Sequence, residues 1–124
     1  MTVAAPTLLF VYGTLMRDEA NAPFMEGSRF LGRAFTEAAF TLFDLGDCPA
    51  MLPGGATAVA GELYEVDAET MADLDSFEGT PYQYQRRAIR LADGREVEAF
   101  LLPVPATDAP VITCGDWRLR VIAS

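Results

Sequence analysis

The sequence predicts an α+β fold built mostly of antiparallel strands with one helix, curled into a sheet or small barrel. Three observations carry this. Short apolar runs rich in β-branched and aromatic residues recur, as in TLLFV at 7–11, ELYEV at 62–66 and VEAFLL at 97–102. Asp93-Gly94 stands between AIRL and VEAFLL, where Asp-Gly is a hairpin turn signal. A single stretch, opening at Asp67, has a cap residue followed by apolar residues at helical spacing.

Taken in order, Thr7 to Val11 is a buried strand that breaks at Tyr12-Gly13-Thr14 into a glycine turn. Met16 to Gly27 is mixed, with Pro23 inside it, and reads as a loop with a short helix. Phe30 to Leu45 interleaves aromatic and polar residues and gives two strands, with Glu37 and its neighbours between them. Gly46 to Gly55 carries Pro49, Pro53 and three glycines, and is expected to be a loop. Thr57 to Val66 returns to strand character, and Gly61 inside it suggests a bulge or a close backbone approach. From Asp67 the helix runs to Phe77 and is stopped by Gly79, Thr80 and Pro81. Gln85 to Leu91 and Glu96 to Leu102 form the hairpin. After Pro103 the composition loosens before a last apolar segment with Trp117 and Val121.

The length of 124 residues fits a single domain spanning 1–124. Its 51% apolar and 22% charged residues are those of a soluble globular chain. Nine arginines and no lysine face 18 acidic residues, a formal charge of -9. That argues against broad nucleic-acid or anionic-membrane binding, which needs basic surface. No signal sequence opens the chain and no apolar run approaches membrane-spanning length, so a cytoplasmic location is expected.

The absences prune the chemistry. With no histidine, Ser-His-Asp and Cys-His catalysis and histidine metal ligation are excluded. With no lysine, there is no Schiff-base nucleophile, Walker lysine or pyridoxal attachment. Carboxylates, tyrosines and thiols remain. Cys48 and Cys114 are far apart and read as buried free thiols; without histidine they make a poor zinc set. Neither a metal nor an organic cofactor is expected.

Two stretches could carry chemistry. The turn Tyr12-Gly13-Thr14-Leu15 can aim several backbone N–H groups at one point and hold a carboxylate or phosphate, although an ordinary strand-ending turn has the same sequence. Glu78 follows Met71 and Leu74 at helical spacing, which puts a carboxylate on the apolar face and near the helix C-terminus. Desolvation there raises its pKa and basicity; a helix ending sooner leaves it solvated instead. Asp75, one turn back, could share the site, although a place on the helix surface suits it better. Tyr84, Arg86 and Arg87 follow, where a phenol or guanidinium could hold a substrate carboxylate or simply alternate in exposure along a strand. Cys48 lacks an activating partner, and Trp117 reads as core or an interface anchor.

These stretches together resemble the gamma-glutamylcyclotransferase-like superfamily. The resemblance rests on LLFVYGTL at 8–15, LGDCPAMLPG at 45–54, GELYEV at 61–66, LDSFEG at 74–79 and YQRR at 84–87, in that order. It implies a small, mostly antiparallel β-barrel with flanking helices, and cyclisation of a gamma-glutamyl group with release of 5-oxoproline. It also implies that Tyr12, Gly13, Thr14 and Leu15 hold the glutamyl moiety, that Glu78 is the catalytic carboxylate, and that Tyr84 lines the pocket. The partner implied is a small gamma-glutamyl substrate, an amine or amino acid derivative. The alternative on the same fold is a module that binds a small carboxylate without turnover.

Overall fold

Strand β1 (Thr7–Val11) lies at the centre of the main sheet, and its residues Leu9, Phe10 and Val11 are buried. The computed structural model describes residues 5–78, 84–103 and 108–120. After β1 come a 3-10 turn at Ala22–Met25, β2 (Arg29–Phe35), β3 (Phe40–Asp44), β4 (Pro49–Pro53) and β5 (Ala60–Val66). Helix α1 (Ala68–Glu78), β6 (Gln85–Arg90), β7 (Glu96–Leu101) and a second 3-10 turn at Trp117–Leu119 complete the order. Among the described residues no helix is long and apolar enough to cross a membrane.

The main sheet runs β2-β5-β1-β7-β6, and β3 pairs with β4 in a second, two-stranded sheet. All strand pairs are antiparallel except β1 with β7. The edges β2 and β6 are brought together at one end. There Thr36 bridges Leu91, Glu37 donates its N–H to the Arg90 carbonyl at 3.1 Å, and Ala92 donates to that of Phe35 at 2.8 Å. The sheet is therefore curled, and among the described residues its edges meet at this bridge rather than along their length. The fold is α+β.

Several local expectations are met for identifiable reasons. Asp67 caps α1, its carboxylate accepting the Thr70 N–H at 2.8 Å. Met71 and Leu74 on one face of α1 are buried. Gly94 turns the β6–β7 hairpin with φ +92. At Gly61 the reason for glycine is close approach, since a Cβ there would stand 2.3 Å from the Val11 carbonyl oxygen. The bulge lies across the ladder in β2, where the register shifts between Phe30 and Gly32. The stop at Gly79, Thr80 and Pro81 falls outside the described residues.

Two expectations are corrected. The segment 46–55 is not simply a loop, because β4 occupies Pro49–Pro53 and pairs with β3 from Asp44↔Pro49 to Phe40↔Pro53. Its prolines sit at the two ends of the strand, and Ala50, Met51 and Leu52 between them are buried. The cysteines are free thiols but not buried ones: Cys48 is half-buried and Cys114 exposed.

Candidate active site

The end of β1, the C-terminal end of α1 and the start of β4 converge on a cavity of about 290 Å³. Tyr12, Gly13, Thr14, Leu15, Glu78 and Tyr84 all line it. These six, read from separate stretches of the sequence, are thus brought to one place.

The glycine turn is built to come close to β4. A Cβ on Gly13 would lie 2.5 Å from Cγ of Pro49, so only glycine lets these two segments approach as they do. Met16 closes the turn by donating its N–H to the Gly13 carbonyl at 3.0 Å. Asn21, which also lines the cavity, holds Thr14 twice, through its N–H to the carbonyl at 2.8 Å and its side-chain amide to Oγ1 at 2.9 Å. Among the described residues, the N–H groups of Gly13, Thr14 and Leu15 donate to no backbone carbonyl. The turn can therefore offer donors to an anion.

Glu78 is the last residue of α1. Burial pushes its carboxyl up from 4.5 to about 7. The C-terminal end of a helix is also a place where negative charge is disfavoured. Phe77 beside it lines the cavity and stacks on Phe24 with ring centroids 4.3 Å apart, tying α1 to the loop that follows the turn. A carboxyl that titrates near neutrality in a partly desolvated cavity is suited to taking up and returning a proton.

The hydroxyls of the two tyrosines have partners within the protein. Tyr12 donates to the Phe100 carbonyl at 2.6 Å and accepts the Met51 N–H at 3.1 Å. Tyr84 donates to the Pro49 carbonyl at 2.6 Å. Both phenols brace β4 against the rest of the cavity wall. Burial pushes both well above the usual phenol range, so neither is a base at neutral pH.

Other sequence candidates fall elsewhere. Arg86 and Arg87 do not line the cavity; Arg86 pairs with Asp75 at 3.1 Å and with Glu98 at 3.7 Å, and Arg87 is exposed. They are therefore not placed to hold a substrate carboxylate there. Asp75 is the surface residue expected. Cys48 lines the cavity with Sγ 3.6 Å from the Tyr84 hydroxyl, and burial pushes its thiol up to about 11, away from the reactive thiolate. Trp117 is a core residue.

The sequence reading missed Asn21, Asp47, Pro49 and Phe77 as cavity residues. Asp47, Pro49 and Phe77 lie inside the motifs at 45–54 and 74–79, but their place in the wall is set by the packing of those motifs, and no local pattern marks Asn21. The charge of the cavity has a clearer signature. All nine arginines fall among the described residues and none lines it, whereas Glu78 and Asp47 do.

The model of the family described as "Gamma-glutamyl cyclotransferase, AIG2-like" matches residues 9–119, and the chain belongs to that family. The match includes the C-terminal segment, beyond the stretch from which the sequence motifs came. The chain is 41% identical over 92 residues to the gamma-glutamylaminecyclotransferase of Rattus norvegicus, covering 67% of this chain and 62% of the rat protein. It is 32% identical over 112 residues to the gamma-glutamylcyclotransferase family protein YtfP of Escherichia coli, covering 90% and 96%. The crystal structure of a uropathogenic E. coli-specific protein superposes with TM-score 0.80 at 32% identity, covering 95% of this chain and 94% of that one.

Proposed function

We propose that this domain cyclises a gamma-glutamyl substrate, releasing 5-oxoproline and the amine that the gamma-carbonyl carried. The observation that carries the reading is Glu78, whose carboxyl is raised to about 7 in the same cavity as the Gly13–Leu15 turn.

The substrate supplies its own nucleophile, which suits a chain without histidine or lysine. The turn's N–H groups and the Thr14 hydroxyl receive the alpha-carboxylate and fix the glutamyl group. Glu78 takes a proton from the alpha-ammonium, and the freed nitrogen attacks the gamma-carbonyl carbon. A carbon–nitrogen bond forms to close the five-membered ring. As the carbon–nitrogen bond to the leaving group breaks, Glu78 gives its proton to the departing nitrogen; it then relays the surplus proton of the ring nitrogen to the same amine, so that 5-oxoproline and a protonated amine leave and the carboxylate is restored. Holding amine and carbonyl in attack geometry supplies several kcal/mol of the rate enhancement.

The charge of the cavity supports an amine rather than an alpha-amino acid as the leaving group. A second carboxylate on the substrate would meet Glu78 and Asp47 with no guanidinium in the wall to offset them.

The test is release of 5-oxoproline from a panel of gamma-glutamyl amines and gamma-glutamyl amino acids, with Glu78→Gln in parallel. Turnover by the wild type that disappears in a folded Glu78→Gln protein is the expected result. Ligand binding without product across the panel would replace the enzyme by a module that captures a small carboxylate.

A further inference from the structure

Glu62 is a fully buried carboxylate that the proposed chemistry does not touch. It lies in β5 opposite Val11, the strand position next to the Leu63↔Phe10 pair. A carboxylate removed from water is costly unless it is paired and hydrogen-bonded, and an apolar side chain would fill a strand position without that cost. What Glu62 touches is therefore the clue to its use.

Its Oε1 accepts the backbone N–H of Arg17 at 2.8 Å and the Tyr64 hydroxyl at 3.1 Å. Its Oε2 faces Arg17 Nε at 3.4 Å and both terminal nitrogens of Arg118 at 3.5 Å. Arg118 also donates to the backbone carbonyl of Arg17. Both polar backbone groups of Arg17 are thus held, one from β5 and the other from the C-terminal segment. Arg17 stands two residues after Leu15, at the exit of the turn whose other flank is fixed by Asn21 on Thr14.

The segment that brings Arg118 is itself anchored. Asp116 accepts the Arg118 N–H at 2.9 Å, the Trp117 indole donates to Glu19 at 2.9 Å, and Arg120 stacks on the Trp117 ring at 3.4 Å. None of Glu62, Asp116, Trp117 and Arg118 lines the cavity.

We infer that Glu62 and Arg118 are positioning residues that hold the Gly13–Leu15 turn in its ligand-binding shape, which makes the segment 116–120 a working part of the site from outside the cavity. The inference rests on the reading of that turn as the glutamyl-binding element. Loss of the clamp lets the turn's N–H groups diverge, which weakens substrate binding and leaves the proton transfer at Glu78 intact.

Arg118→Gln removes the cation at a partly exposed side chain and leaves the core untouched. Its steady-state release of 5-oxoproline is compared with that of the wild type and Arg118→Lys. Val97→Ala, a buried β7 change away from the cavity, serves as a control for general loss of stability. Backbone amide hydrogen exchange is followed at residues 13–17 in all four proteins. The expected result for Arg118→Gln is a KM raised about tenfold, the size of one lost hydrogen bond to a charged group. Its kcat falls by less than its KM rises, because the carboxylate contact is weakened while Glu78 still transfers the proton. Exchange at 13–17 accelerates, and Arg118→Lys recovers part of both effects. Val97→Ala lowers Tm without either change. If Arg118→Gln behaves as Val97→Ala does, or exchange accelerates with KM unchanged, the clamp is structural and the inference falls. Should the wild type release no 5-oxoproline, the functional reading fails separately. Exchange at 13–17 then decides whether Arg118 holds the turn.

Discussion

Gly13 and Pro49 approach so closely that a Cβ on the first would stand 2.5 Å from Cγ and 2.6 Å from Cδ of the second. The contact joins the turn after β1 to the first residue of β4, and the Pro49 carbonyl is in turn held by the Tyr84 hydroxyl. A rigid ring pinned from behind has little room to yield. Gly13→Ala is therefore expected to destabilise the fold by about 1–3 kcal/mol, the range for overpacking a close contact. Ligand affinity should fall as well, because the turn moves off β4. Denaturant midpoints and KM measured on the same variant check this. Wild-type values of both would mean that the ring or the turn gives way freely.

Tyr12 ties Phe100 to Met51, so its hydroxyl links β7 with β4 across the cavity floor. Tyr12→Phe leaves a buried carbonyl and a buried N–H without this partner, a loss of about 1–3 kcal/mol for each unsatisfied group. Burial pushes the phenol far above its usual range, so it stays protonated and is no base at neutral pH. The variant should therefore show a lower unfolding midpoint and a pH-rate profile of unchanged shape. A displaced pH limb would give Tyr12 a chemical part.

What the sequence made legible was whatever local chemistry decides. Asp67 caps its helix through Thr70, three residues on, and Asp93-Gly94 turns a hairpin within itself. Glu78 was legible because Met71 and Leu74 marked the buried face of its own helix. β4 was hidden because its glycines and prolines are loop signals, while its strand character comes from pairing with β3 and burial of Met51. Glu62 was hidden for a related reason. In an alternating strand a glutamate between Gly61 and Leu63 reads as solvent-facing, and its cover arrives from Arg17 and Arg118, distant in the chain. Tyr12 and Tyr84 line the cavity, and the partners of their hydroxyls, in β4 and β7, lie too far along the chain for the sequence to show.

Glu78 should cost the fold stability as the pH rises. Its carboxyl titrates near 4.5 when the chain is unfolded and near 7 in the folded protein, so folding favours the neutral form. The stability that neutral Glu78 allows is complete below 4.5 and is lost as pH rises through about 7. Glu78→Gln, which never ionises, is expected to match the wild type at acid pH. At pH ~8 it should exceed the wild type by about 3 kcal/mol. Urea unfolding of both proteins across this pH range checks the sign. A wild type that is the more stable at alkaline pH would mean that the folded site favours the charged carboxylate.

The same carboxyl makes a prediction about rate. A base must be ionised to accept the substrate's proton, so kcat/KM for 5-oxoproline release should rise with pH through a limb near 7. The substrate's alpha-amine titrates too, and an independent titration of the free substrate separates its contribution. The remaining limb belongs to the free enzyme and should coincide with the titration of the Glu78 carboxyl followed by carbon-13 NMR. Glu78→Gln should reduce kcat by about 10²–10⁴-fold, the usual contribution of a general base, while 5-oxoproline still binds to the turn. A Glu78 signal that titrates near 4.5 would assign the limb to another group, and a Glu78→Gln protein with wild-type kcat would remove Glu78 from the chemistry altogether.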